Sequence, residues 1–349
     1  MVDTLSISGP ATIEKVDPAT DPRWAGLAAS HGSLFTSPPW LTAIGSTYGF
    51  VIEAWLDLDQ DGVVRGGIPA ARLGNSQGER LVTLPFSDYC DPISTSTSST
   101  VLIDHLLAQG LPVEVRRLDG ERSSSDPRWT PGEPDLWHAI DLEPDEDLAW
   151  ETLAGSARRA IRKGRDSGIE IRVSDDLTDL RTFYELHLGV RKHKYRLLAQ
   201  PFEFFVALAE SFGDRLVLLG AWQGETLVAG VLYLAWGDTL YYKFNASSGT
   251  ELGARPNDLL MWEGTRYAVS AGLSIVDLGR TDADHESLAR YKSKYATREG
   301  TITVLRSGVF DRDPALAAIL GPLTELMTRP EVPDEITEAV GALTYRHFA

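Results

Sequence analysis

Arg158, Arg162 and Arg165 recur at spacings of four and three in SARRAIRKGR, so on an α-helix they fall within one arc of about 60°. Such a ridge suits the phosphates of a nucleic acid or a nucleotide. Arg191 and Tyr195 in VRKHKYR are four apart and share a helix face, where the guanidinium offers a planar fork for phosphate or carboxylate. Asp88 and Tyr89 follow the apolar run RLVTLPF in LPFSDYCDP. A strand end of this kind opens into a crevice, and a carboxylate there can accept a proton. An Asx turn is the plainer alternative for Asp88, and a solvated basic face is the plainer one for the arginines. Cys90, the one cysteine, lacks the partnered histidine of a thiolate nucleophile and reads as packing. A single cysteine excludes internal disulfides. The seven histidines show no ligand spacing, so no metal is expected.

The elements that must position these residues belong to a globular chain. It has 349 residues, 43% of them hydrophobic and 24% charged, enough for two domains with cores of their own. The net charge of −17 opposes nucleic-acid or anionic-membrane binding through the overall field. That charge is unevenly spread. Residues 1–150 hold 9 basic and 23 acidic side chains, residues 151–349 hold 24 and 27, and the 39 positions from 158 to 196 hold 11 and six. A polyanion would have to find that last stretch. The first residues lack a basic and an apolar region of the secretory kind, and no stretch approaches 18 apolar residues, so a cytoplasmic protein is expected.

Hydrophobic periodicity orders the first half as a strand (ATIEKVD), two helices, a hairpin turned at Asp61-Gly62, the strand RLVTLPF, a polar break, a helix and the strand LPVEVRRL. A Ser/Pro/Gly-rich loop over 119–135 and the strand LWHAIDL close it. The second half opens with the helix EDLAWETLAGSARRAIRKGRDSG and then repeats the order with different residues: strand, two helices, antiparallel strands, break, helix, strand. A repeat of element order without identity points to a duplicated α/β domain, with a boundary near 145–155 and domains of 1–148 and 149–349, the second ending in a helical tail.

This order, with SPPW at 37–40, LPFSDYCDP, the basic helix at 155–171, VRKHKYR, NDLLMWEGTRYAVSAGLSIVDLGR at 257–280 and LARYKSKYA at 288–296, resembles the acyl-CoA N-acyltransferase (GNAT) fold in tandem. It is the arrangement of the Fem family of aminoacyl-tRNA-dependent transferases and their acyltransferase relatives. The resemblance implies two GNAT-like domains, each a mixed central sheet flanked by helices, and an N-acyltransferase without a tightly bound cofactor. The aminoacyl group of aminoacyl-tRNA would pass to an amine on a small molecule or peptide. Attack on the carbonyl needs a cation or donor about 3 Å from the oxyanion. By resemblance Lys292 supplies it, Tyr291 packs on the donor end, and Arg158, Arg162, Arg165 and Asn257 hold the donor. Asp88 and Tyr89 position or deprotonate the amine, Arg191 with Tyr195 holds the acceptor's anionic part, and Lys243 is a further acceptor-side candidate.

Two departures keep alternatives open. At the place of the glycine-rich diphosphate loop the chain reads LGARPNDLL, where Pro256 removes an N–H, which weakens coenzyme A as donor. Ile44 stands where cell-wall Fem enzymes carry a lysine, which weakens a peptidoglycan precursor as acceptor. Acyl-CoA on the same fold remains an alternative donor, and a catalytically silent binding module with an acidic first half remains an alternative of another class.

Overall fold

The computed structural model describes residues 12–75, 78–94, 98–118, 126–174, 176–249, 252–309 and 313–349. In chain order come β1 (Thr12–Val16), α1 (Pro22–His31), α2 (Pro38–Tyr48), β2 (Val51–Leu58), β3 (Val64–Asn75), β4 (Gly78–Thr83), β5 (Ile93–Ser94), α3 (Ser98–Leu107), β6 (Val113–Leu118) and β7 (Thr130–Pro131). Next are β8 (Asp135–Asp141), α4 (Glu146–Thr152), α5 (Gly155–Arg165), β9 (Glu170–Ser174), α6 (Leu177–Gly189), α7 (Phe202–Phe212), β10 (Leu216–Gln223), β11 (Thr226–Trp236), β12 (Thr239–Ser247) and α8 (Pro256–Ser270). The chain ends with β13 (Ile275–Thr281), α9 (Glu286–Lys292), β14 (Arg298–Ser307), α10 (Pro314–Met327) and α11 (Asp334–Thr344).

Two compact units result: Met1–Glu133 with Ile302–Asp311, and Pro134–Thr301 with Arg312–Ala349. In the first, the strands run in the order β1-β2-β3-β4-β6-β14, antiparallel except for the parallel pair β4·β6. Its core gathers Trp55, Ile68, Leu81, Leu102 and Val115. In the second, the order is β8-β13-β12-β11-β10-β9, antiparallel except for β12·β13. Its core gathers Ile161, Val231, Leu240, Leu260 and Val276. Each unit is a mixed α/β sheet flanked by helices, with the element order read from the sequence.

Three details depart from that reading. The strand LWHAIDL, read as closing the first half, is β8 and pairs antiparallel with β13 in the second unit. The helix expected through 146–168 breaks into α4 and α5, because Leu153 and Ala154 take extended backbone. The helix expected to run on through Tyr195 stops at Gly189, and residues 190–194 form a π-helical turn closed by Tyr195 N–H on the Val190 carbonyl. The loop residues 119–125 lie outside the described residues.

Candidate functional site

Both parallel pairs are short. In the second unit β12 and β13 pair at Thr239/Ile275, Leu240/Val276 and Tyr241/Asp277, after which no further pairing joins Tyr242–Ser247 to Leu278–Thr281. The two strands part there, and polar side chains line the opening. Two bulges shape it. On β12 the register to β11 jumps across Lys243, so Tyr242 and Asn245, three apart, come to the same face of the sheet. On β13 the register to β8 jumps across Leu278, with Gly279 at φ +70°, a conformation open to glycine without a Cβ clash. The Gly279 N–H donates to Asp277, and Trp137 Nε1 donates to both oxygens of the same carboxylate at 3.1 Å.

α8 begins where β12 ends. Asn257 in its first turn donates to Ser247 Oγ (3.2 Å) and accepts from Asn245 Nδ2 (3.3 Å), which ties the helix start to the strand end. Gly164 lets α5 lie close on α8: a Cβ there would stand 3.1 Å from that of Leu259 and 3.2 Å from the Arg255 carbonyl. α9 then returns over this region. Tyr291 donates to the Asn257 carbonyl (2.9 Å), Tyr295 donates to Asp258 (2.5 Å), and Lys294 Nζ lies 3.2 Å from the same carboxylate. Burial pushes the hydroxyls of Tyr242, Tyr291 and Tyr295 up from the usual phenol range, so they stay protonated donors at neutral pH.

Lys292 is only 4% exposed. Glu286 of the same helix faces Arg290 at 3.9 Å. The Lys292 Nζ donates to the carbonyls of Gly279 (3.1 Å) and Arg280 (2.8 Å), the part of β13 that has left β12. A buried ammonium is thus held beside the strand opening by backbone oxygens. It also helps burial to depress His138, whose Nε2 faces Ser293 Oγ at 3.2 Å.

The structure brings Lys292, Tyr291 and Asn257 of the sequence candidates into this one neighbourhood. Tyr195 caps the π-turn with its ring edge-on to His285, 5.9 Å away, in the loop after β13. Arg191, four residues earlier, turns inward and donates from Nε and a terminal nitrogen to the Leu198 carbonyl, both at 3.1 Å, so the expected shared face with Tyr195 is not formed. The π-turn ends at Lys194 and Arg196 then takes φ +55°, and the Leu198 carbonyl beyond it meets the Arg191 guanidinium. Lys243 sits in the β12 bulge with its ammonium 6.0 Å from the Phe244 ring. Arg158, Arg162 and Arg165 do share α5. Arg162 and Arg165 both stack on Trp150 at 5.4 Å, and Arg165 also lies 3.8 Å from Glu263.

Asp88 and Tyr89 belong to the first unit and to a different environment. Tyr89 is buried with its ring edge against Phe35 at 5.0 Å, and Cys90 is fully buried, its thiol pushed up by desolvation. Asp88 is half-buried. Sequence reasoning passed over Tyr242, Asn245, Asp258 and Tyr295. Tyr295 was open to view, four residues after Tyr291 in LARYKSKYA, whereas Tyr242 and Asn245 share a face only through a bulge that alternation cannot show. A group able to hold a metal exists among the described residues in Asp282, Asp284 and His285, whose ligand atoms lie within 4.8 Å of one another; Asp282 also pairs with Arg280.

Comparison with known proteins agrees with this geometry. The family model described as acetyltransferase (GNAT) domain matches residues 154–293. No curated relative matches the chain in sequence. Among solved structures, FemX superposes at a TM-score of 0.63 with 15% identity, covering 90% of this chain and 100% of that one. L-PGS from Bacillus licheniformis gives 0.53 with 14% identity, over 90% and 100%. A tandem GNAT protein from the clavulanic acid biosynthesis pathway gives 0.51 with 12% identity, over 86% and 100%. The second unit therefore carries an acyltransferase domain of the GNAT type, and the chain has the Fem-like tandem GNAT fold. No helix among the described residues is long and apolar enough to cross a membrane.

Proposed function

We propose that this acyltransferase moves an aminoacyl group from aminoacyl-tRNA to an amine, with the reaction in the opening between β12 and β13 of the second unit. The observation that carries the reading is Lys292, a buried ammonium set on two carbonyls of the diverging strand. Placed against an ester carbonyl, it supplies the positive charge that a tetrahedral oxyanion requires. Protonated Tyr291 and Tyr295 provide the flanking hydroxyls, and Tyr195 and Lys243 stand on the acceptor side.

The start of α8 favours this donor over acyl-CoA. A helix N-terminus holds a diphosphate through free N–H groups. Here Pro256 at the first position has none, and Asp258, 4% exposed in the same turn, brings a carboxylate to that spot. A diphosphate would meet that negative charge. The donor's polyanionic stem finds cations instead on α5. Arg158, Arg159, Arg162 and Lys163 have no carboxylate within ion-pair distance among the described residues, whereas Arg172, Arg181 and Lys192 are each paired.

Incubating the full chain separately with charged total tRNA and with acetyl-CoA tests the reading. Loss of aminoacyl ester with the tRNA supports it, and consumption of acetyl-CoA alone overturns the donor. Replacing Arg158 and Arg162 by Gln should lower the log–log salt slope of tRNA binding by about 1 to 2. An unchanged slope removes α5 from the donor site.

A further inference from the structure

The tail after β14 packs on one stretch of chain. Residues 190–199 combine a π-turn with Arg196 at φ +55°, a strained conformation for a side-chain-bearing residue, and run on irregularly to α7. Segments of this kind open easily unless something ties them down. The tail supplies ties on both sides of Tyr195. Lys192, 1% exposed, donates to the Val332 carbonyl and to Asp334 (2.6 Å) at the start of α11. Arg196 donates to the Thr328 carbonyl at the end of α10 (2.6 Å). Gly341 of α11 approaches so closely that a Cβ would stand 2.7 Å from the Ala199 oxygen. From α6, Arg181 grips Glu338 with both terminal nitrogens at 2.6 and 2.7 Å.

A nearly inaccessible lysine is a costly way to attach a tail if attachment is all that is needed, since an apolar contact of the same size would hold as well. A paired lysine instead fixes geometry. Between Lys192 and Arg196, Tyr195 keeps 37% exposure and faces His285 beyond the end of β13. We propose that the α10–α11 hairpin is a positioning clamp for Tyr195, with Lys192–Asp334 and Arg181–Glu338 as its two fastenings, so that the tail sets how the enzyme holds its amine substrate. This rests on the reading of Tyr195 as an acceptor-side residue.

Two readouts on the full-length protein test it. Hydrogen exchange should run about 10-fold faster over 190–199 in the double variant Asp334→Asn, Glu338→Gln, with α8 and β13 unchanged. Lys192→Met, which removes the tie without stranding a buried charge, should behave alike. Wild-type exchange in both overturns the clamp. With charged total tRNA as donor and glycinamide as probe amine, the variants should raise the KM for glycinamide about 10-fold while kcat and the KM for the tRNA hold. A fall in kcat alone, in proportion to folded protein, marks the ties as merely structural and overturns the positioning role. If the wild-type chain turns over neither donor, the proposed function falls, and the exchange arm alone upholds or overturns the clamp.

Discussion

In the first unit β4 and β6 run parallel through Leu81/Val113, Val82/Glu114 and Thr83/Val115, then part; in the second, β12 and β13 part after the same three-residue contact. Beyond that contact the units differ. In the first the chain folds into its own gap: Cys90 N–H donates to the Arg116 carbonyl, Asp91 accepts from the Leu118 N–H and from Arg117, and Ser87 is held by Trp40 and Arg116. The segment SDYCD acts as a third strand would, satisfying the backbone that the parting leaves open. In the second unit the gap is lined by hydroxyls, amides and a buried ammonium. The same divergence thus makes a filled seam in one unit and a polar opening in the other, where the proposed reaction would take place. The difference lies in the segment after the strand, which turns back inward after β4 and leads out to α8 after β12.

The sharpest way to break this contrast is Lys292→Met. Turnover with aminoacyl-tRNA should fall at least about 100-fold while circular dichroism keeps the native spectrum. Retained turnover would leave the second opening without a catalytic role. Next in size is Asp91→Ala, which should lower the denaturation free energy by about 2 kcal/mol through loss of its charge-assisted bonds, and should leave turnover within a factor of two or so. Turnover lost at unchanged stability would make the first unit a working part of the chemistry.

An acid-dependent effect of comparable size belongs to the second unit. His187 packs in the second unit between Phe183, Phe205 and Phe244, and burial drops its pKa to about 3. The unfolded chain binds its proton near pH 6.5 and the native chain does not, so stability should decline as pH falls from 6.5 toward 3, by at most about 1.4 kcal/mol per unit. His187→Leu should flatten that limb in urea titrations at pH 7 and pH 5. An unchanged slope would place the acid sensitivity elsewhere.

The duplicated order was legible in the sequence because it rests on local periodicity and on turn residues such as Asp61-Gly62, whose glycine stands at φ +79°. Lys292, Tyr291 and Asn257 were legible through short strings. Partners distant in sequence were not. The alternation in LWHAIDL marks a strand without naming β13, far along the chain, as its neighbour. The basic stretch at 158–196 read as one patch, yet the structure divides it. In its second half Arg181, Lys192 and Arg196 are taken up by carboxylates and carbonyls of the tail, whereas on α5 Arg158, Arg159, Arg162 and Lys163 have no carboxylate within ion-pair distance among the described residues. Charge counting sees the cations and not the acids that fold back on them.

The strand β14 carries a consequence for how the chain comes into being. Residues Ile302–Ser307 pair with β6, Ile302 opposite Leu118 and Ser307 opposite Val113. On the ribosome that partner emerges only after every residue from 134 to 301 has been made. Until then one edge of β6 presents unpaired N–H and C=O groups, the form in which strands join the wrong neighbour. The first unit therefore cannot close before β14 has been made, by which time residues 134–301 of the second unit are already complete. Chains truncated before residue 302 should aggregate through β6 even where the acyltransferase domain itself has folded.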